Sequence, residues 1–256
     1  MTTGSFPSDP SARRAILVLT QHDIAKCMYE QGAAKTLIDD QAYVLPFPIC
    51  MPADPPKALQ NIFFNANLAR PGVVLVQSPF DLDSYVEASL APQGFALEKY
   101  MHFSTLCMYL GAKEVSVEQV ELKTRNGTST FKMQGEHPRG SANLDVTSEE
   151  LQKFRAQMNL HDEFDGGPAD ITTAEGLLRR TGLLADPSMC TLLEMRRESK
   201  NQLRSRKLVI NLSSEVKNNL QIVGRLHIPS FITLNAQYNQ IVHEQHDYTL
   251  TVLVQF

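Results

Sequence analysis

Over the last nine residues, apolar side chains return at every second position. Tyr248, Leu250, Val252, Val254 and Phe256 alternate with Thr249, Thr251 and Gln255. That period is two, the period of a β-strand with one face packed and the other wet, and a helix cannot hold it. Ile232, Leu234, Ala236 and Tyr238 repeat the pattern against Thr233, Asn235 and Gln237. Leu220, Ile222, Leu226 and Ile228 share one parity around Gly224, while Gln221, Arg225 and His227 take the other. With Leu208–Leu212 these segments predict a four-stranded antiparallel meander over about 204–256. Ser213–Leu220 also has the makings of a helix start, but Gly224 and Pro229 argue against its continuing.

A second sheet segment spans about 113–134. Val115 and Val117 alternate with polar residues, and Val120 and Leu122 resume in the opposite phase. A slip of one residue at Glu118-Gln119 would otherwise turn the apolar set to the wrong face, so a bulge is expected there. Asn126-Gly127 is a hairpin turn signal, and Phe131 and Met133 fall on the return strand.

The rest reads as helices and connections. Ala15–Leu19 is an apolar run suited to a short buried strand or a helix start, followed by a helix from His22 entered through Thr20 and Asp23. Prolines at 46, 48, 52, 55 and 56 impose an extended connection. Asp54 is the expected N-cap of a helix through Leu59, Ile62 and Phe63 that closes at Arg70-Pro71-Gly72. Val73–Val76 reads as a buried strand, and 95–110 as a helix closed by Gly111. Thr147 with Glu150 and Thr172 with Glu175 form two capping boxes, and Asp186-Pro187 opens a further helix. The sum is an α+β fold, a largely antiparallel sheet with helices packed on one face.

A length of 256 residues corresponds to between one and two domains at about 150 residues each. A single domain over 1–256 is expected, because 135–146 is the one obvious break; the alternative is a mixed half over 1–135 and a helix-plus-meander half over 147–256. The opening residues lack the apolar run of a secretory signal, and no stretch reaches the length of a membrane-spanning helix. Cys27, Cys50, Cys107 and Cys190 are widely spaced among apolar neighbours, without a CxxC pair. They read as reduced, buried thiols of a cytoplasmic protein.

With 24 basic and 28 acidic residues, the net charge of −4 excludes a generic polycation. Arg196, Arg197, Lys200, Arg204, Arg206 and Lys207 nevertheless crowd one segment against the single Glu198. Cations there suit a helix C-terminus; as a site they would contact nucleic-acid phosphates or anionic lipid. No aromatic is interleaved, which counts against stacking on single strands.

Other motifs fall short of a chemistry. His243 and His246 lie three apart, not at the i, i+4 spacing of a helical zinc pair. His161 to Asp170 resembles a calcium loop only loosely, with histidine first and threonine twelfth, where acidic ligands are needed. There is no GxSxG, GxGxxG or P-loop, and so no cofactor or metal is expected.

The expectation is therefore a non-enzymatic binding or assembly protein that meets a protein partner or itself. Its contact would be a sheet edge formed by Tyr248, Leu250, Val252, Val254 and Phe256, or the hairpin over 115–133. Three alternatives stand beside it: a membrane-active effector inserting amphipathic hairpins, an enzyme using His22, His102 or His161 with dispersed carboxylates, and a polyanion binder through 196–207.

Overall fold

The computed structural model describes residues 5–29, 38–124, 127–132, 139–140, 154, 156–157, 161–198, 203–226 and 247–256. The chain divides into two units, one made of residues 1–94 with 215–243 and the other of 95–214 with 244–256.

The first unit is built on a mixed four-stranded sheet. Its strands are β1 (Ala15–Thr20), β2 (Ala42–Phe47), β3 (Val73–Gln77) and β4 (Tyr85–Glu87), in the order β2-β1-β3-β4. β2 runs parallel to β1, with Ala15 beside Ala42 and Thr20 beside Phe47, while β3 and β4 are antiparallel neighbours. The Ala15–Leu19 run is thus a strand, and it is buried on both faces. Such continuous apolar sequence is what a strand needs when neither of its faces meets water.

Between β1 and β2 the chain forms α1 (Gln21–Tyr29). Its entry is the expected reciprocal cap. Asp23 N–H donates to Thr20 Oγ1 at 3.1 Å, and Thr20 N–H donates back to Asp23 Oδ2 at 3.3 Å. The next helix, α2 (Lys57–Phe64), differs from expectation at both ends. Pro56 occupies the N-cap position without a side-chain cap, so Asp54 does not cap it, and the helix stops at Phe64, well before Arg70. Ala58, Leu59 and Ile62 on α2 pack with Ile16, Val18, Leu45, Val73 and Leu75 to form this unit's core.

α3 (Ala91–Tyr109) begins in the first unit and runs into the second, where the larger sheet lies. That sheet contains β5 (Glu114–Thr124), β6 (Gly127–Lys132), β7 (Arg139–Gly140), β8 (His161–Glu163), β9 (Ser205–Asn211) and β10 (Asp247–Gln255). Its order is β7-β6-β5-β10-β9, and β8 pairs with the first residues of β5. All its pairings are antiparallel. The bulge falls where the phase slip required it: Thr251 faces Gln119 and Val252 faces Val117, leaving Glu118 unmatched. Val115, Val117, Val120 and Leu122 therefore all reach the buried face. Gly127 pairs with Thr124 and is thus the first residue of β6.

Helices α4 (Ile171–Arg180) and α5 (Pro187–Arg197) bring Leu177, Leu178, Met189, Leu192 and Leu193 into the second unit's core. Asp186 caps α5 as expected, accepting from the amides of Ser188 and Met189. For α4 the cap is Asp170, which accepts from Thr173 N–H at 3.0 Å, and not Thr172. Glu175 is then free to bind Arg179 and Arg197. The 147–150 box lies outside the described residues.

The C-terminal meander is corrected in one respect. Residues Ser214–Arg225 form helix α6, not a strand. Its buried positions are Val216, Asn219, Ile222 and Val223, with Leu226 just past its end, all falling three or four residues from a neighbour in the set. This is a helical stripe, and Gly224 sits on its exposed side, where a glycine costs only about 1 kcal/mol against alanine. Residues 232–238, the remaining expected strand, lie outside the described residues.

Candidate functional site

The first unit contains a cavity of about 560 Å³. Parallel β1 and β2 end side by side, and ligands of such sheets gather at the carboxyl ends of the strands. Gln21, the first residue after β1, lines one side, and Pro46, Phe47 and Pro48 at the end of β2 line another. The proline-bearing connection supplies Cys50, Pro52, Asp54 and Pro56, and Leu45 and Leu59 from the core close the interior. Because each proline fixes its own φ and restricts its predecessor, this wall loses little entropy on becoming ordered.

Phe6 and Tyr43 form a second wall. Their rings meet edge-to-face, with centroids 5.4 Å apart and planes at 74°. The Arg13 guanidinium stands 5.4 Å from the Phe6 centroid. Arg13 is itself only 3% exposed and bonds Asp83 at 3.0 Å and Tyr85 at 2.7 Å, so its charge is spent inside the unit. Burial raises the Tyr43 phenol above its ordinary value and keeps it a neutral hydrogen-bonding group. The Cys50 thiol is exposed, lies 3.8 Å from the Pro48 carbonyl, and carries no disulfide. Cys27 and Cys107 are buried free thiols as expected, whereas Cys50 is not. The cavity offers aromatic rings and prolines, with an amide, a thiol, a carboxylate and the hydroxyls of Ser5 and Tyr43 as polar groups. That is the make-up of a small-molecule pocket, and its volume falls within the usual range of about 300–1,000 Å³.

In the second unit Lys99 and Asp162 anchor two buried polar clusters. Lys99 has no exposure, and its ammonium donates to Asp186 Oδ2 at 2.7 Å, Asn211 O at 2.7 Å and Ser214 Oγ at 3.1 Å. Asp162 on β8 accepts from Ser104 Oγ at 2.7 Å and Tyr100 OH at 3.1 Å, one helical turn apart on α3. Burial, reinforced by Asp162, pushes both the Tyr100 phenol and the Cys107 thiol well up. Cys107 is thus protonated and inert rather than a poised nucleophile.

The basic segment is dispersed over several tasks. Arg196 is 7% exposed, donates to the carbonyls of Leu110 and Leu203, and lies 4.2 Å from the Phe256 ring centroid. Arg197 bridges Glu175 and Glu194, Lys207 pairs with Glu118, and Arg206 reaches the Met195 sulfur. Arg204 is exposed, and Lys200 lies outside the described residues.

The expected assembly edge requires correction. β10 lies between β5 and β9, so its hydrogen-bonding groups are taken on both sides. Tyr248, Leu250, Val252 and Val254 are at most 2% exposed, and Phe256 lies against Arg196. Among the described residues, the strand at this end of the sheet is β9. Leu212 N–H bonds Tyr248 O and Phe256 N–H bonds Arg204 O, so the even residues of β9 face β10 and the odd ones face outward. Two outward carbonyls are already capped, Val209 by Ser188 Oγ and Asn211 by Lys99. Capping of this kind blunts an edge against strand addition.

Of the candidate histidines, His161 and His102 meet local carboxylates, while His22 is exposed at the start of α1. His161 sits 3.0 Å from Glu163 and 3.6 Å from Glu114, and His102 lies 3.9 Å from Glu98. Asp39 and Asp81 accept from turn amides, and Asp83 pairs with Arg13. Among the described residues, no group of three His, Cys, Asp or Glu side chains could hold a metal ion. Likewise, no helix among them is long and apolar enough to cross a membrane. His243 and His246 lie outside the described residues.

Sequence reasoning missed the cavity, as it did the buried clusters around Lys99 and Asp162. The cavity's signal was the proline-rich stretch beside Phe47 and Cys50, which reads equally well as a plain connection. No protein family model matches the chain, nor does any curated protein or solved structure.

Proposed function

We propose that this chain is a non-catalytic binding protein whose first unit takes a small, largely apolar ligand in the cavity at the ends of β1 and β2. The observation that carries this reading is the lining itself, with Phe6, Tyr43 and Phe47 set among prolines around a space of about 560 Å³. A cavity open to water and walled by rings gains from filling, at roughly 25 cal/mol for each Å² of apolar surface removed from solvent. We place the protein in the cytoplasm, where an exposed thiol such as Cys50 stays reduced. Assembly with a protein partner or a second copy belongs to the same reading, through surfaces other than β10.

The test uses N-phenyl-1-naphthylamine, a neutral dye that fluoresces in apolar surroundings. The dye should brighten with the native protein, and Cys50→Trp, which fills the cavity mouth, should reduce its affinity at least fivefold. Equal affinity for both proteins, with circular dichroism unchanged, would refute the cavity as the binding site.

A further inference from the structure

We infer that the ligand of this cavity carries a positive charge, as an organic ammonium with an apolar body. The inference rests on the cavity being a binding site, and it concerns only the charge of what binds.

Three observations point the same way. Among the described residues that line the cavity, Asp54 supplies a carboxylate and no lysine or arginine stands opposite it. Asp54 makes no capping bond to α2, so its oxygens are not spent on the helix that follows. Three aromatic rings line the same space, and the faces of such rings are negative by virtue of their quadrupoles. One of them, Phe6, already attracts a cation from within the protein, the Arg13 guanidinium at 5.4 Å. Arg13 does not compete for Asp54, because Asp83, Tyr85 and the Leu82 carbonyl hold it.

An anionic ligand would meet the Asp54 carboxylate and three aromatic rings, with no lysine or arginine among the described lining residues to offset them. A neutral apolar ligand would fill the space but gain nothing from the carboxylate. An ammonium bearing methyl or methylene groups satisfies both requirements, since its carbons pack on the prolines while its charge faces the rings and Asp54. Aromatic boxes of this kind recognise quaternary ammonium groups elsewhere by the same physics.

The experiment compares three molecules of one shape: choline, its neutral carbon isostere 3,3-dimethylbutan-1-ol, and the anion 3,3-dimethylbutanoate. Binding is followed by the chemical shifts of the Tyr43 and Phe47 ring protons. Choline should bind at least fivefold tighter than the alcohol, and the anion weakest. Asp54→Asn, at an exposed position that caps nothing, should bring choline to within twofold of the alcohol without disturbing the fold. If the alcohol binds as tightly as choline while the neutral dye still occupies the cavity, the charge inference is wrong and the binding reading survives. If choline is preferred equally by Asp54→Asn and the native protein, the role given to Asp54 is wrong. If neither the dye nor any of the three molecules shifts those rings, both inferences fall together.

Discussion

Replacing Lys99 with methionine tests how the second unit is held together. The two side chains are similar in length, so the change removes the charge and the donors without opening a large void. The native ammonium is wholly buried and has acceptors for all three of its protons in Asp186, Asn211 and Ser214. In Lys99→Met, Asp186, whose side chain is 7% exposed, keeps its two capping bonds to α5 but loses its counter-charge. Leaving one buried ion unpaired costs about 3–5 kcal/mol. The Asn211 carbonyl also loses a bond, worth about 1 kcal/mol, and the added apolar burial of methionine offsets a similar amount. The net expectation is a loss of about 3–5 kcal/mol, a large part of the 5–15 kcal/mol that stabilises a typical domain. Urea denaturation with and without 1 M NaCl would measure it. The loss should hardly depend on salt, because a buried pair is poorly screened. Adding Asp186→Asn to Lys99→Met should recover part of it, since asparagine keeps an N-cap oxygen and removes the stranded charge. A loss below about 1 kcal/mol for Lys99→Met would refute the assignment of this pair as the link between α3, β9 and α5.

Three further outcomes follow from the geometry. Gly111 has φ +78° and an added Cβ would lie 2.2 Å from the Gly167 carbonyl, so Gly111→Ala should cost at least ~2 kcal/mol in thermal or urea denaturation. The His161 imidazolium is held by its bond to Glu163 and by the charge of Glu114, so its midpoint lies above the ordinary 6.5. Its stabilising contribution is therefore complete below that value and disappears as pH rises through the shifted midpoint; an NMR titration should show this, with Glu163→Gln moving the midpoint back down. At the start of α4, Asp170→Ala should speed hydrogen exchange at the Thr173 amide while Thr172→Ala leaves it unchanged, because Asp170 makes the cap.

What could be read from the sequence was local. The bulge at Glu118 followed from a phase slip between Val117 and Val120, and the α5 cap followed from Asp186 next to Pro187. Both signals lie within a few residues of the structure they specify. Helix α6 was misread because its buried stripe contains a polar residue. Asn219 belongs inside, where its amide donates to the Gln77 carbonyl at 2.8 Å, and that partner is far away in sequence. Leu220, Ile222 and Leu226 share one parity and so imitate a strand, and Gly224 with Pro229 argues against a helix continuing there. The same limit applied to β10. Its alternation identified a strand with one buried face, but whether a strand is inner or outer depends on which others pair with it, and alternation does not encode that. The cavity was least visible of all, because its lining comes from three separated stretches: the residues around Phe6, the start of α1 at Gln21, and the chain from Tyr43 to Leu59.

The most direct test of the central claim uses the thiol that lines the cavity. Cys50 is the exposed cysteine, while Cys27 and Cys107 are buried and Cys190 is half-buried outside the cavity. The measurement is the rate at which iodoacetamide alkylates Cys50, followed by peptide mass spectrometry with and without saturating N-phenyl-1-naphthylamine. The account predicts at least fivefold slower alkylation of Cys50 when the dye is bound, with Cys190 unaffected. Alkylation of Cys50 at an unchanged rate, with the dye demonstrably bound to the protein, would contradict it.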